Sequence, residues 1–263
     1  MAAIQRNEIN SRLNDLRILL VPTWTEDDTH SAQLASYRGL LAQTFGSADG
    51  QNPLSDLEGM EEYLKWRLSE HSCILRISGD TTTHHTGLCW LSHTVPGLVD
   101  RLQLEGQQVI FHLSQRQHSM PYGVPIQEIV GSVIFQLLQL KSQILRDRRW
   151  FDELHRRLKM DSWSRDLKFV CQTLVMVLEE FEVTNIILDR IDRAVCSGKA
   201  PRFIQRLLET LASSRCHTRI LLVTPSGTEW DMELSDDMKR KCMYLDIAQL
   251  NEEVITPRRR KRH

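Results

Sequence analysis

Residues 79–86 read Gly-Asp-Thr-Thr-Thr-His-His-Thr and directly follow the short apolar run Cys-Ile-Leu-Arg-Ile-Ser at 73–78. The eight residues have the spacing of the phosphate-binding loop G-x-x-x-x-G-K-[ST]. Gly79 and Thr86 match the pattern, whereas His84 and His85 replace its second glycine and its lysine. A strand that leads into such a loop, with a helix after it, is typical of an α/β fold with a parallel sheet.

The same alternation continues along the chain. Beyond residue 73, apolar runs of strand length are separated by stretches whose apolar residues recur with helical spacing. The strand runs are 73–78, 108–113, 183–189, 219–224 and 242–246, and the helical stretches are 126–138, 169–181 and 203–211. A further helix is expected after Thr86, ending before Pro96 and Gly97. This pattern predicts a three-layer α/β domain whose parallel sheet is covered on both faces.

The region before residue 70 has helical periodicity only. The predicted helices include 13–20, which Pro22 would end, 32–45, and an amphipathic helix from Leu57 to Leu68. We therefore expect three parts in the chain. They are a helical N-terminal extension at 1–70, the α/β domain at 71–250, and a basic disordered tail at 251–263.

A second group of candidate site residues follows the strand at 183–189. This strand ends in Asp189, and Asp192 lies three residues later. A carboxylate at the carboxyl end of a parallel strand commonly binds Mg²⁺, directly or through water. The predicted metal ligands are Thr86, Asp189 and Asp192. The predicted nucleotide-binding residues are Gly79, Asp80, Thr81, Thr82, Thr83, His84, His85 and Thr86.

Together these motifs resemble the NACHT-type STAND P-loop NTPases, in particular the nephrocystin-type modules abundant in fungi. Further matching segments are 43–45, Tyr-Leu-Lys-Trp at 63–66, the Q-L-L helix at 135–138, the Walker B-like run 186–193 and the strand end 224–226. The resemblance covers about 40–250. It implies strand order 5-1-4-3-2, binding of Mg-ATP or Mg-GTP, and a role as a switch or scaffold in NLR-like signalling.

The departures from the family pattern concern the residues that do chemistry. His85 is shorter than lysine and mostly neutral at pH 7, and the loss of a charge-assisted phosphate contact costs roughly 1.5–3 kcal/mol. Arg193 stands where the family has the carboxylate that polarises the attacking water. The arginine expected after the fourth strand is absent. Hydrolysis is therefore expected to be weak or lost, and whether the chain is a nucleoside triphosphatase stays open.

Other interpretations of these residues also stay open. The loop at 79–86 is alternatively a simple turn, and Asp189 then caps a neighbouring group or forms an ion pair with Arg190 or Arg193. In that case the chain is a pseudo-NTPase domain that binds proteins rather than nucleotide. A zinc site at His85, Cys89 and His93, with a contribution from His84, is a second alternative. The five cations at 258–262 make the segment 257–263 a nuclear-import signal, a contact for nucleic acid or acidic lipid, or a solvated C-terminus.

Composition limits the class of protein. The 263 residues are 41% apolar and 25% charged, with a net charge of −1, which is ordinary for a globular protein. We expect an intracellular protein, cytoplasmic or nuclear, without a membrane span. A protein partner or a homo-oligomer is expected, and nucleic acid only through the tail. Full-length family members add an effector domain and repeats, so this length fits a truncated copy or a stand-alone regulator.

Overall fold

Five parallel strands form the central sheet of the protein. The structure is a computed structural model that describes residues 2–24, 29–45, 53–79, 90–113, 125–191, 205–207, 209–210, 214–225 and 240–246. The strands are β1 (Cys73–Gly79), β2 (Val109–Leu113), β3 (Val183–Asp189), β4 (His217–Pro225) and β5 (Cys242–Asp246). Their order is β2-β3-β4-β1-β5, and each neighbouring pair is parallel. From the β5 edge this order is 5-1-4-3-2, which confirms the expected α/β class and topology.

Helices surround the sheet and connect its strands. They are α1 (Ala2–Leu20), α2 (His30–Phe45), α3 (Pro53–Glu58), α4 (Glu61–Leu68), α5 (Thr94–Leu104), α6 (Ile126–Leu140), α7 (Arg148–Leu158), α8 (Asp161–Arg165) and α9 (Leu167–Leu178). Two 3₁₀ turns, Trp90–His93 and Ser142–Arg146, precede α5 and α7. Residues 205–207 and 209–210 are also helical. Among the described helices, none combines the length and apolar character that crossing a bilayer requires.

Two helix predictions are wrong in detail. The single helix expected from Leu57 to Leu68 is two helices, because the chain turns at Gly59 and Met60 has an extended backbone with φ −87° and ψ 139°. The helix expected to end before Pro96 instead continues to Leu104 as α5. Pro96 is the third residue of α5, where a proline is tolerated because the N–H groups of the first turn have no intrahelical partner.

Apolar side chains cover both faces of the sheet. Ile74 of β1 belongs to one buried cluster, which also contains residues of α1, α6 and α9. The next residue, Leu75, points to the opposite face and joins a second cluster with residues of α4 and α5. Successive side chains of a strand alternate between faces, so the two clusters are the two core layers of a three-layer fold.

The N-terminal helix packs directly on this domain. Leu16 and Leu20 of α1 are fully or almost fully buried and belong to the first cluster. α1 approaches α6 closely at Gly131, where an added Cβ atom would lie 2.0 Å from the carbonyl oxygen of Leu20. The helical region before residue 70 therefore shares the core of the sheet domain, while a domain boundary at residue 70 stays a prediction.

A glutamine side chain protects the edge strand β2. Gln136 of α6 accepts a hydrogen bond from the backbone N–H of Phe111 at 3.0 Å and donates one to its carbonyl oxygen at 2.6 Å. Both backbone groups are buried, and their hydrogen-bond partner is Gln136 of α6. The side-chain amide therefore satisfies the backbone of Phe111 as a neighbouring strand would, at one position of an edge strand.

Two enclosed histidines are neutral at pH 7. Burial lowers the pKa of His30 and of His112 from 6.5 to about 4. Each residue is half-buried as a whole, but its Nε2 atom has no solvent contact and no hydrogen-bond partner among the described residues. The hydroxyl of Ser132 donates to Ile129, so Nδ1 of His112 is the donor in its 3.0 Å contact with Ser132.

Gly131→Ala is expected to lower the free energy of unfolding by about 1–3 kcal/mol or more, because the new methyl group meets the backbone of Leu20. Urea unfolding followed by circular dichroism measures this change. Gly39→Ala is the matched control, since Gly39 lies in α2 with no atom within 4 Å of an added Cβ. The control is expected to gain about 0.4–1 kcal/mol. Equal effects of the two variants would contradict the tight packing of α1 on α6.

Gln136→Leu is expected to cost about 1–3 kcal/mol for each of the two Phe111 backbone groups left without a partner. The same unfolding measurement tests it. Gln103→Leu is the control, because Gln103 is exposed on α5 and surface changes usually stay within about 0.5 kcal/mol. If Gln136→Leu were as stable as the control, the side chain would not be holding the edge of β2.

Acidification is expected to destabilise the fold between pH 6.5 and 4. The unfolded chain binds protons at His30 and His112 below about pH 6.5, whereas the folded chain does so only near pH 4. Stability is therefore full above pH 6.5 and decreases as pH falls, by about 1–2 kcal/mol per histidine at pH 5. Urea midpoints from pH 7 to 5 measure the decrease. His112→Asn should flatten this pH dependence, and the exposed control His71→Asn should not.

Candidate functional site

The carboxyl edge of the sheet brings the two predicted halves of the site together. Gly79, the last residue of β1, pairs in register with Pro225, and Asp189, the last residue of β3, pairs with Val223. β4 lies between β1 and β3. Neighbouring strands are about 4.8 Å apart, and Gly79 lies about two residues further along the sheet than Asp189, so the ends of β1 and β3 are separated by roughly 12 Å. The start of the predicted phosphate loop and the predicted metal ligand thus share one edge.

The structure describes only part of the predicted site. Gly79 and Asp189 are described, whereas Asp80, Thr81, Thr82, Thr83, His84, His85, Thr86 and Asp192 lie outside the described residues. The predicted zinc ligands are similarly divided, since His93 is described and His84, His85 and Cys89 are not. Within the described residues, no group of three or more His, Cys, Asp or Glu side chains is placed to hold a metal ion. Both binding hypotheses stay predictions.

Asp189 lies in a buried polar cluster. Its side chain has no solvent exposure, and both carboxylate oxygens accept hydrogen bonds. The hydroxyl of Tyr37 donates to Oδ2, and the hydroxyl of Ser92 donates to Oδ1 at 3.1 Å. Because a buried carboxylate is costly without such donors, the two hydroxyls stabilise Asp189 at this buried position. Tyr37 and Ser92 are thus two hydrogen-bond donors to Asp189 that the sequence interpretation did not name.

The three residues come from separate elements. Tyr37 is in the middle of α2, Ser92 is in the 3₁₀ turn Trp90–His93, and Asp189 ends β3. All three are fully buried. Burial, followed by the charge of Asp189, raises the pKa of Tyr37 well above its ordinary value, while the nearby charge of Arg190 opposes this rise. Tyr37 is therefore protonated at any physiological pH and donates to the carboxylate.

The backbone turns sharply directly after Asp189. Arg190 has φ 56°, the one positive value of a non-glycine residue in the described part of the chain. This left-handed conformation costs roughly 1–2 kcal/mol for a residue with a Cβ. The backbone N–H of Arg190 donates to the carbonyl oxygen of Val223 at 2.9 Å, which ties the end of β3 to β4. The turn holds the carboxylate of Asp189 in place at the end of the strand.

A second polar group lies between the ends of β1, β4 and β5. Arg76 donates through Nε to the hydroxyl of Thr224 at 3.1 Å, and its guanidinium lies 5.2 Å from the centre of the Tyr244 ring. The hydroxyls of Ser78 and Tyr244 are 2.9 Å apart. Thr224 and Ser78 are fully buried, whereas Tyr244 is exposed. This arrangement places a guanidinium near the edge, on the face of the sheet opposite to Asp189.

The position of Asp189 does not fit a bound metal ion in this arrangement. Mg²⁺ requires carboxylate oxygens or their bound waters in an octahedral shell. Asp189 is enclosed, and each of its oxygens already accepts a hydrogen bond from a protein hydroxyl. A metal ion at this carboxylate would require the hydroxyls of Tyr37 or Ser92 to move.

The sequence interpretation missed Tyr37, Ser92 and Arg76. Tyr37 lies in the apolar stripe that Leu34 and Leu41 form on α2, and a tyrosine at such a core position usually requires a buried hydrogen-bond partner. Arg76 interrupts an otherwise apolar central strand, which is also a visible signal. Ser92 offers no signal, because a serine near a helix start is ordinary.

Comparison with known proteins identifies a family for this chain. The family described as Nephrocystin 3, N-terminal matches residues 56–224, which is more than half of the chain. No curated protein matches the sequence. A chain in the structure of Drosophila ORC bound to AT-rich DNA and Cdc6 is similar with 11% identity and a TM-score of 0.41, and the alignment covers 89% of this chain and 66% of that chain.

The family match begins within α3 and ends at the second-to-last residue of β4. It includes β1 with Gly79, the turn with Ser92, and β3 with Asp189, and it excludes α1 and α2. The sheet order and the family match therefore agree on a P-loop NTPase-like module of the NACHT kind. The chain belongs to the nephrocystin-3 N-terminal family.

Proposed function

We propose that this protein is a degenerate nucleotide-binding module that acts as a switch or scaffold in NLR-like signalling. The observation that supports the proposal is the shared edge of Gly79 and Asp189, on either side of β4. In P-loop proteins this is the edge at which the loop after the first strand and a strand-end carboxylate meet the phosphates. The ligand class that follows is a nucleoside triphosphate, as Mg-ATP or Mg-GTP.

Phosphate binding would rest mainly on backbone groups. In this proposal the N–H groups of 79–86 surround the phosphates. Thr86 and Asp192 would hold the metal ion, and Asp189 would join them once the hydroxyls of Tyr37 or Ser92 move. His85 supplies less charge than the lysine that it replaces. Weak binding is therefore expected, and Arg193 in place of an acidic residue leaves hydrolysis slow or absent.

A second candidate function is a pseudo-NTPase domain that binds a protein partner or a second copy of itself without nucleotide. The enclosure of Asp189 by Tyr37 and Ser92 favours it, because the carboxylate has a structural role without any ligand. Nuclear targeting through 257–263 is a separate proposal that rests on sequence alone.

Titration with Mg-ATP and Mg-GTP by calorimetry separates the two candidates. Wild-type protein is expected to bind one of them, and Thr86→Ala and Asp189→Asn are expected to weaken binding by roughly 10–100-fold, since each removes a charge-assisted contact. His85→Lys is expected to tighten binding by a similar factor. Asp15→Asn, an exposed position on α1, is the matched control for Asp189→Asn.

The result that would contradict nucleotide binding is equally specific. If neither wild type nor His85→Lys gives binding heat or a thermal shift at millimolar Mg-nucleotide, nucleotide binding is contradicted and the pseudo-NTPase function is favoured. Phosphate release, measured on wild type and His85→Lys, tests turnover separately and is expected to be slow or undetectable.

A further inference from the structure

The contact between α2 and Asp189 joins a helix outside the family match to a residue inside it. Asp189 and Ser92 lie within the family match, whereas Tyr37 lies before it. The carboxylate of the family's module is thus held by a hydroxyl from a helix that the match does not include. Such a contact is not required by the sheet fold itself, so its strength depends on what else holds α2 in place.

Several residues on one face of α2 fix it over the carboxyl edge. Leu34 joins the cluster on the α4 and α5 side of the sheet. Tyr37 and Leu41 pack with Leu113, the last residue of β2. Arg38 forms an ion pair with Asp100 of α5. α2 also packs against the 3₁₀ turn that follows the predicted phosphate loop. The helix therefore covers the ends of β2 and β3 at the edge where the nucleotide is expected.

The hydroxyl of Tyr37 and a metal ion require the same carboxylate. Asp189 is fully enclosed while α2 is docked. Oδ1 accepts a hydrogen bond from Ser92, and a ligand that uses Oδ2 must displace the hydroxyl of Tyr37. The reverse also holds, because the hydrogen bond from a docked Tyr37 makes the Asp189 carboxylate unavailable to a metal ion. Two ligands that exclude one another at one group are thermodynamically coupled, and each weakens the other by the same factor.

We propose that α2 is an intramolecular latch, in which Tyr37 and the Mg-nucleotide compete for Asp189. This inference rests on the proposed nucleotide binding and describes its regulation. In the latched state the protein has low affinity for nucleotide. Binding of Mg-nucleotide releases α2 and uncovers its apolar face at Leu34, Tyr37 and Leu41, which is a change that a partner protein can recognise.

Tyr37→Phe tests the latch, because it removes the hydroxyl and keeps the ring in its apolar site. The observed affinity of a ligand rises with the fraction of molecules in the binding-competent state. Loss of one charge-assisted hydrogen bond from the latched state is therefore expected to lower the Kd for Mg-ATP or Mg-GTP by roughly 10-fold or more. Calorimetric titration of this variant and of wild type measures the change.

Tyr63→Phe is the matched control. Tyr63 of α4 is a fully buried tyrosine in the second core cluster, and among the described residues its hydroxyl has no hydrogen-bond partner. The same chemical change there is expected to leave the Kd within about 2-fold of wild type. Thermal unfolding without nucleotide shows whether both variants are folded.

Hydrogen exchange on wild-type protein gives a second test that needs no variant. Saturating Mg-nucleotide is expected to speed exchange of the backbone amides of α2 and to leave α1, which is packed in the core, unchanged as an internal reference. Slower or unchanged exchange in α2 on binding would overturn the latch, even if Tyr37→Phe failed to fold.

The outcomes separate the latch from the proposed function. Tighter binding by Tyr37→Phe with an unchanged control supports the latch. If wild type binds Mg-nucleotide and Tyr37→Phe binds it with an equal or higher Kd, the latch is overturned and nucleotide binding stands. No binding by wild type, by Tyr37→Phe or by His85→Lys overturns the proposed function, and the latch with it.

Discussion

The central position of β4 is the constraint on which the fold and the site both depend. Parallel strands are joined by crossover connections and need apolar cover on both faces. β4 satisfies this requirement, since Ile220, Leu221, Leu222 and Val223 are all at most 2% exposed and alternate between the two core clusters. Its insertion between β1 and β3 separates Gly79 from Asp189 by one strand at a common edge. The loop that follows β1 and the carboxylate that ends β3 are neighbours for this reason.

A buried charge at that edge imposes a second requirement. An enclosed carboxylate is tolerated only where donors satisfy its oxygens. Two of the donors are the hydroxyls of Tyr37 and Ser92, which belong to elements on either side of the predicted phosphate loop in the chain. α2 is thereby connected to the sheet by polar as well as apolar contacts. α1 is likewise held by both kinds of contact, since its leucines pack on α6 and Arg12 donates to the carbonyl oxygen of Leu145.

Periodicity is sufficient to predict all five strands and the main helices, because the apolar pattern of each element is a local property of the sequence. Local pattern fails at Pro96, where a proline is expected to end a helix and lies instead in its first turn. It fails again at Gly59, where a continuous apolar periodicity hides a turn between α3 and α4. In both cases the apolar periodicity correctly indicates helix but places its ends incorrectly. Helix ends depend on backbone geometry, which periodicity does not describe.

By itself, the amino-acid sequence determined the fold class, the strands and the identity of the residues at the strand ends, including Gly79 and Asp189. It also determined which chemical groups are missing, because His85 and Arg193 are read directly from the chain. Only the tertiary structure decided which groups meet Asp189. Tyr37 is 152 positions away along the chain and Ser92 is 97, and contacts over such distances arise from the packing of whole elements rather than from any local pattern.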